Sequence, residues 1–221
     1  MSHRIKYFFI SFGLIFLYLL LNELTTLIAL PFKDNTFLLN IILIVGSFVS
    51  TFVIAFILKD ELISKWDDFK KNKNDYIPKI VKYWAIGFSL MYVTNIIISI
   101  LFLNGIAPNE EANREMIKLY PYYMAISVSL TGPIAEELLF RLTFKRVFSK
   151  KIVYILFTGI LFGLAHMLTN STLIEFLYII PYSVLGITFS ALVYDTDNIY
   201  TSIFAHIFHN VLTLMIIFRF M

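Results

Sequence analysis

The sequence contains no cysteine and few charged residues: only 15% of its 221 residues are Asp, Glu, Lys or Arg, whereas 59% are hydrophobic. The absence of cysteine excludes disulfides, thiolate metal ligands and a cysteine nucleophile. A soluble domain carries about 25% charged residues, so the shortage of charge argues against an ordinary soluble fold. The net charge of +3 does not indicate a nucleic-acid partner, and none is expected.

Long apolar runs fill most of the chain, and a helix needs about 20 apolar residues to cross a bilayer. We therefore expect an all-α, polytopic transmembrane helix bundle of about seven spans in the cell membrane, with the lipid bilayer as its surroundings. The predicted spans are 7–30, 37–58, 80–103, 122–140, 152–168, 173–194 and 199–218. Residues 59–79, which are rich in charge, are expected to form a cytosolic loop.

The distribution of positive charge predicts the orientation of these spans. Fourteen of the 18 Lys and Arg residues lie in 1–6, 59–82 and 141–151, which alternate spans would place on the same side of the membrane. Cytosolic segments carry an excess of Lys and Arg. The N-terminus is therefore expected in the cytosol.

Ionisable side chains inside a bilayer are costly, so each needs an explanation. The second half of the chain concentrates them within predicted spans. They occur in three groups: Glu136, Glu137 and Arg141; Phe162 with His166; and His206, His209 and Asn210.

Helical spacing separates the expected roles of these residues. Glu137 and Arg141 are four apart, so they are expected to pair along one helix face and to be mainly structural. Glu136 is rotated by about 100° from Glu137, which leaves its carboxylate free to face the bundle interior. His206 and Asn210 share a face, whereas His209 lies on another and is left out of the predicted site.

A free carboxylate, two imidazoles and an amide suit the activation of water for peptide hydrolysis. Glu136 would accept a proton from water, and His166 would help to position that water. His206 and Asn210 would donate hydrogen bonds to the developing oxyanion. The alternative is a zinc ion held by Glu136, His166 and His206, since two His and one carboxylate form a known catalytic ligand set.

At these residues the sequence resembles the CPBP family of membrane peptidases, which includes the type II CAAX prenyl endopeptidases and the bacterial Abi proteins. The family pattern E-E-x-x-x-R, F-x-x-x-H and H-x-x-x-N corresponds to Glu136-Glu137-x-x-x-Arg141, Phe162-x-x-x-His166 and His206-x-x-x-Asn210. The match covers about residues 131–211. It divides the chain into N-terminal helices at 1–120 and a core with the catalytic motifs at 121–221.

The resemblance implies an endopeptidase in which Glu136 activates water and which cleaves a membrane-associated protein or peptide. Substrates of the CAAX type and of the bacteriocin or signal-peptide type both fit this class. The abundance of Ile, Phe, Asn and Lys favours a bacterial protein, and hence the plasma membrane. Members have been described as glutamate proteases and as metalloproteases, so no cofactor is assigned and zinc stays possible. The site is expected inside the bilayer, open towards the cytosolic half.

Two other functions are compatible with the sequence. The chain could be a membrane scaffold or bacteriocin-immunity protein that binds a partner without catalysis and keeps the motif residues for helix packing. It could also be a transporter, although no internal repeat supports this. The presence of Glu136, His166, His206 and Asn210 together favours the enzyme, because packing alone would not require all four.

Overall fold

The computed structural model describes residues 3–103, 107–167 and 175–220, and all regular structure within these ranges is helical. Five of the described helical stretches are long and apolar enough to span a membrane, and a shorter apolar helix adds to them. The predicted all-α, multi-pass fold is thus confirmed. The α-helices are α1 (His3–Ala29), α2 (Thr36–Ile57), α3 (Lys59–Ile98), α4 (Pro108–Leu119), α5 (Pro121–Ile126), α6 (Gly132–Glu137), α7 (Lys151–Ala165), α8 (Ile179–Thr196) and α9 (Ile199–Phe220).

The observed helices follow the predicted spans closely, with one composite element. The predicted span 122–140 is built from α5, α6 and short π-helical and 3₁₀ segments that together occupy 121–146. Leu168, the last residue of the predicted span 152–168, lies outside the described residues. Residues 173–174, the first two of the predicted span 173–194, lie outside them as well. The number of spans and the cytosolic N-terminus stay predictions.

Residues 59–79, predicted as a cytosolic loop, are helical instead and form the first half of the 40-residue helix α3; their cytosolic location stays a prediction. Three features of the sequence explain the helix. Asp60 and Glu61 lie in its first turn, where negative charge is favourable. Lys70 pairs with Asp67 at 2.8 Å along the helix surface. No glycine occurs between residues 59 and 79, and the one proline there, Pro78, lies next to the end of this segment and is accommodated within α3.

The connection between α8 and α9, Asp197 and Asn198, binds the charged first half of α3. Asp197 has a φ of 49°, a left-handed conformation that Asp tolerates better than most residues. Its carboxylate lies 2.8 Å from Lys65 and 3.2 Å from Lys145. Burial raises the pKa of Asp197, but the hydrogen bond from Lys65 and the charges of both lysines outweigh burial, so the pKa lies below its usual range.

Asn198, which is fully buried, completes this connection. Its amide donates to the carbonyl oxygen of Lys65 at 2.7 Å and to the carboxylate of Asp68 at 2.8 Å. Its side-chain oxygen accepts from the backbone N–H of Tyr200 at 3.0 Å, a bond that caps the start of α9. Since His206 lies eight residues further along α9, about 12 Å at helical rise, this junction sets its depth.

Glycines allow α7 to pack directly against α8, as the spacing of Gly159 and Gly163 predicts. A Cβ atom on Gly159 would lie only 2.5 Å from the backbone nitrogen of Ile187, and one on Gly163 would lie 2.9 Å from the carbonyl oxygen of Ile179. Neither backbone atom can move aside without moving a helix. The close contact places the end of α7, and therefore His166, against α8.

We expect Gly159→Ala to destabilise the protein by about 1–3 kcal/mol, the usual cost of overpacking. The matched control is Gly13→Ala in α1, where a Cβ atom would have nothing within 4 Å. Alanine favours helix over glycine at both positions, so the control is expected to unfold at the same temperature as wild type or higher. The measurement is thermal unfolding of the purified proteins in detergent. Equal melting temperatures for the two variants would contradict this packing.

Candidate active site

The three predicted motifs meet inside the bundle. Glu136 projects from α6, His166 follows the last residue of α7, and His206 lies in α9. The carboxylate atom Oε2 of Glu136 is 4.0 Å from Nε2 of His166 and 3.8 Å from Nε2 of His206. Both distances are too long for a direct hydrogen bond, and a polar separation of this size is suited to a bridging water.

The neighbouring acid, Glu137, has the separate role that helical spacing predicts. Its carboxylate lies 3.0 Å from Arg141, and both side chains are completely buried. Arg141 also stacks on the ring of Phe162, with 4.3 Å between its guanidinium carbon and the ring centroid. The side chain of Glu136, by contrast, is 29% exposed. The pair is therefore sequestered, whereas the Glu136 side chain is partly exposed; its Oε2 atom, which approaches the two histidines, is buried without a hydrogen-bond partner among the described residues.

Different hydrogen-bond partners distinguish the two histidines. Nδ1 of His166 lies 2.9 Å from the carbonyl oxygen of Phe162, and a carbonyl only accepts, so Nδ1 carries the hydrogen. Nε2 of the neutral ring is then an acceptor directed at Glu136. Nδ1 of His206 lies 2.8 Å from the carboxylate of Glu137. A carboxylate only accepts, so Nδ1 of His206 carries a hydrogen, and Nε2 on the other side of the ring lies towards Glu136.

An unusual backbone holds Asn210 in place. Residues 127–131 form a π-helical turn, in which the N–H of Gly132 bonds the carbonyl of Ser127, five residues earlier. The same pattern would pair residue 133 with Val128, but residue 133 is proline and has no N–H. The freed carbonyl of Val128 accepts instead from the amide of Asn210 at 2.8 Å. One amide hydrogen of Asn210 remains for a substrate.

The ring of Phe162 packs against both histidines of the site. Its ring centroid lies 4.4 Å from that of His166 and 5.6 Å from that of His206. The ring is buried and separates the two imidazoles from Arg141. The spacing F-x-x-x-H places Phe162 beside His166, and its contacts with His206 and Arg141 are visible only in the structure.

A cavity of about 610 Å³ lies in front of Glu136 and also reaches His166 and Asn210. A second cavity, of about 150 Å³, adjoins it behind His166 and His206. π-Helical segments at 127–131 and 138–142 flank α6 and direct its side chains into this space, and such segments are frequent at functional sites.

Four residues that line these cavities are not among the residues predicted for the site. Asn109 and Asn113 of α4 line both cavities. Tyr182 stacks on His166 with ring centroids 4.7 Å apart and accepts a hydrogen bond from Asn109. His209, left out of the predicted site, is buried and lines the smaller cavity. No spacing in the sequence relates α4 to the motifs, so only the fold brings it there.

The residues suggested for zinc do not form an evident metal site. Across residues 3–103, 107–167 and 175–220, no three His, Asp or Glu side chains are grouped as metal ligands would be. Ligands of a tetrahedral zinc ion lie about 3.4 Å from one another, given bonds of about 2.1 Å. The separations of 3.8 Å and 4.0 Å between Glu136 and the histidines are wider. No step of catalysis is therefore assigned to a metal.

The fold and the site define a class, namely multi-pass helical membrane proteins with carboxylate and imidazole groups that converge within the bundle. Residues 118–212 match the family described as type II CAAX prenyl endopeptidase Rce1-like. This range includes all the predicted site residues. The match confirms the resemblance to the CPBP family.

A curated relative supports the same family. The Bacillus subtilis (strain 168) protein named "Putative membrane peptidase YdiL" is 27% identical to this chain over 143 residues, which are 57% of this chain and 55% of the relative. The chain thus spans about half the length of the curated relative it matches. No solved structure gives a significant match.

Proposed function

We propose that this protein is an intramembrane endopeptidase that hydrolyses a peptide bond with water activated by Glu136. The observation that carries the proposal is the convergence of the Glu136 carboxylate on two imidazole nitrogens, at 3.8 Å and 4.0 Å, beside a cavity large enough for a peptide segment. The family matched by residues 118–212 and the name of the Bacillus relative support a peptidase.

The tautomer of His166 explains how the water would be oriented. A water between Glu136 and His166 would donate one hydrogen to the carboxylate and the other to the free Nε2 of the ring, since both atoms are acceptors. Its oxygen lone pairs would then point away from both groups, towards a substrate carbonyl. Glu136 takes the proton as the water oxygen bonds to the carbonyl carbon.

His206 and Asn210 would stabilise the oxyanion that forms in this step. This role requires a hydrogen on each nitrogen of His206, with Nδ1–H bonded to Glu137 and Nε2–H directed at the oxyanion; the remaining amide hydrogen of Asn210 is the second donor. The bonds of these side chains to Glu137 and Val128 fix their orientation. Donors held in place before the reaction lower the barrier most effectively. The protonated Glu136 then gives its proton to the leaving amine, and the carbon–nitrogen bond breaks.

Cleavage of a library of membrane peptides by the purified protein tests this proposal. Wild type and Glu136→Gln are compared with and without chelator. We expect cleavage by wild type in both conditions and none by Glu136→Gln. Chelator-sensitive cleavage that zinc restores would replace the water mechanism with a metal mechanism.

The non-catalytic hypothesis makes an opposite prediction in cells. A scaffold or immunity protein would show no cleavage, and Glu136→Gln would still complement a deletion of the gene. That combination would overturn the peptidase proposal. Loss of complementation in Glu136→Gln, with normal amounts of protein in the membrane, would support it.

A further inference from the structure

The larger cavity reaches one end of the bundle. From Glu136 it extends along α1, where it is lined from Phe12 to Asn22, and along the start of the composite span, where Tyr123 lines it. Asn109 and Asn113 of α4 line its far end. Helix α4 follows α3 and precedes α5 in the chain, so this end lies opposite the start of α3.

Helix α4 has the properties of a helix at a membrane surface. Its 12 residues extend about 18 Å, too short to cross a bilayer. Glu111, Glu115 and Lys118 are exposed on one side of it, whereas Asn113 and Ile117 face the cavities on the other. The mouth of the cavity therefore adjoins an aqueous surface.

The other end of the bundle is closed beneath the site. Arg141 and Tyr154 are fully buried there, and Phe144 is likewise inaccessible. Phe144 and Tyr154 belong to a continuous apolar cluster that also includes Leu138 and Ile203. No part of either described cavity is lined by these residues. Within the part of the chain that the structure describes, these side chains fill the space between Glu136 and this end.

The closed end carries the basic segments. Lys65 and Lys145 meet at Asp197, and Arg146 lies 2.7 Å from Glu61 at the start of α3. Fourteen Lys and Arg residues are predicted on this side of the membrane. Arg141 is buried in the core, whereas the other thirteen are not buried. An excess of Lys and Arg favours the cytosolic side. The positive charge and the cavity mouth thus lie at opposite ends.

We infer that the site opens to the extracytoplasmic side and accepts an extended peptide that reaches the membrane from that side. This differs from the expectation of an opening towards the cytosolic half, and it rests on the proposed function. An exported peptide, or the outer flank of a membrane-anchored one, meets this requirement, whereas a prenylated C-terminus in the cytosol does not. The amides of Asn22, Asn109 and Asn113 suit a peptide backbone, and Leu19 and Phe140 suit apolar side chains.

The absence of cysteine allows a direct test with single-cysteine variants and a membrane-impermeant maleimide. Ser127→Cys reports on the cavity wall and Ser64→Cys on the exposed charged half of α3; both replace a hydroxyl with a thiol. We expect Ser127→Cys to react in intact cells and Ser64→Cys to react only in inverted vesicles. The reverse pattern would overturn the inference, and so would a Ser127→Cys variant that reacts from neither side.

A second variant relates access to activity. Ala165→Cys places a thiol on the cavity wall beside His166. Its modification from outside intact cells is expected to slow cleavage of an extracytoplasmic peptide at least tenfold, and unchanged cleavage after complete modification would overturn entry by this route. If no variant cleaves any peptide, the proposed function fails, yet the labelling pattern still decides the side to which the cavity opens.

Discussion

Replacing Glu136 with glutamine is expected to lower peptide turnover by about 10³-fold or more while leaving the protein folded. Glutamine has nearly the same shape, but its amide cannot take a proton from water, and a positioned general base typically contributes about 10²–10⁴-fold. The side chain is 29% exposed and has no ion pair with Arg141, so its charge contributes little to stability. Turnover by purified protein and thermal unfolding are the two measurements.

Glu137→Gln is the matched control, since the two acids are adjacent and the substitution is identical. It removes the charge that opposes the buried Arg141, so unfolding is expected at a clearly lower temperature. Glu136→Gln should therefore separate activity from stability, whereas Glu137→Gln should lower both. If Glu136→Gln retained wild-type turnover, Glu136 would not be the base. If it unfolded as early as Glu137→Gln, its loss of activity would be uninformative.

The sequence predicts the helical spans and the motif residues because both are encoded at short range. A span is a run of apolar residues, and the pairing of Glu137 with Arg141 follows from a separation of four residues on a helix. The convergence of Glu136, His166 and His206 follows less directly. Spacing places each residue on its own helix, and only the cost of burying a charge suggests that the three meet.

Other parts of the site depend on contacts that no local pattern specifies. The charge of residues 59–79 suggests a loop, yet this segment is helical and bonds to Asn198 through Lys65 and Asp68. The π-helical turn before Gly132 leaves a carbonyl for Asn210, which depends on a proline and an amide 77 positions apart. The position of α4 over the cavity likewise depends on tertiary packing.

Arg141→Met is expected to destabilise the protein by about 3–5 kcal/mol, because it leaves the carboxylate of Glu137 buried without its cation. The side chain has no access to solvent, so water cannot compensate for the lost partner. Met is close to Arg in length and preserves much of the packing against Phe162. Chemical unfolding of the purified proteins in detergent measures the change in the free energy of unfolding.

The double variant Glu137→Leu/Arg141→Met distinguishes the contribution of Glu137 to stability, through Arg141, from its contribution to activity, through His206. Replacing both members of a buried ion pair with apolar residues is often neutral or even stabilising, so most of the lost stability should return. Activity should not return, because Nδ1 of His206 would lose the carboxylate that orients it at 2.8 Å. Loss of the carboxylate partner of the catalytic histidine in a Ser-His-Asp triad lowers turnover by about 10⁴-fold, so a large loss is expected here too. A double variant that is both stable and fully active would show that Glu137 only neutralises Arg141, and His206 would then have no need of it.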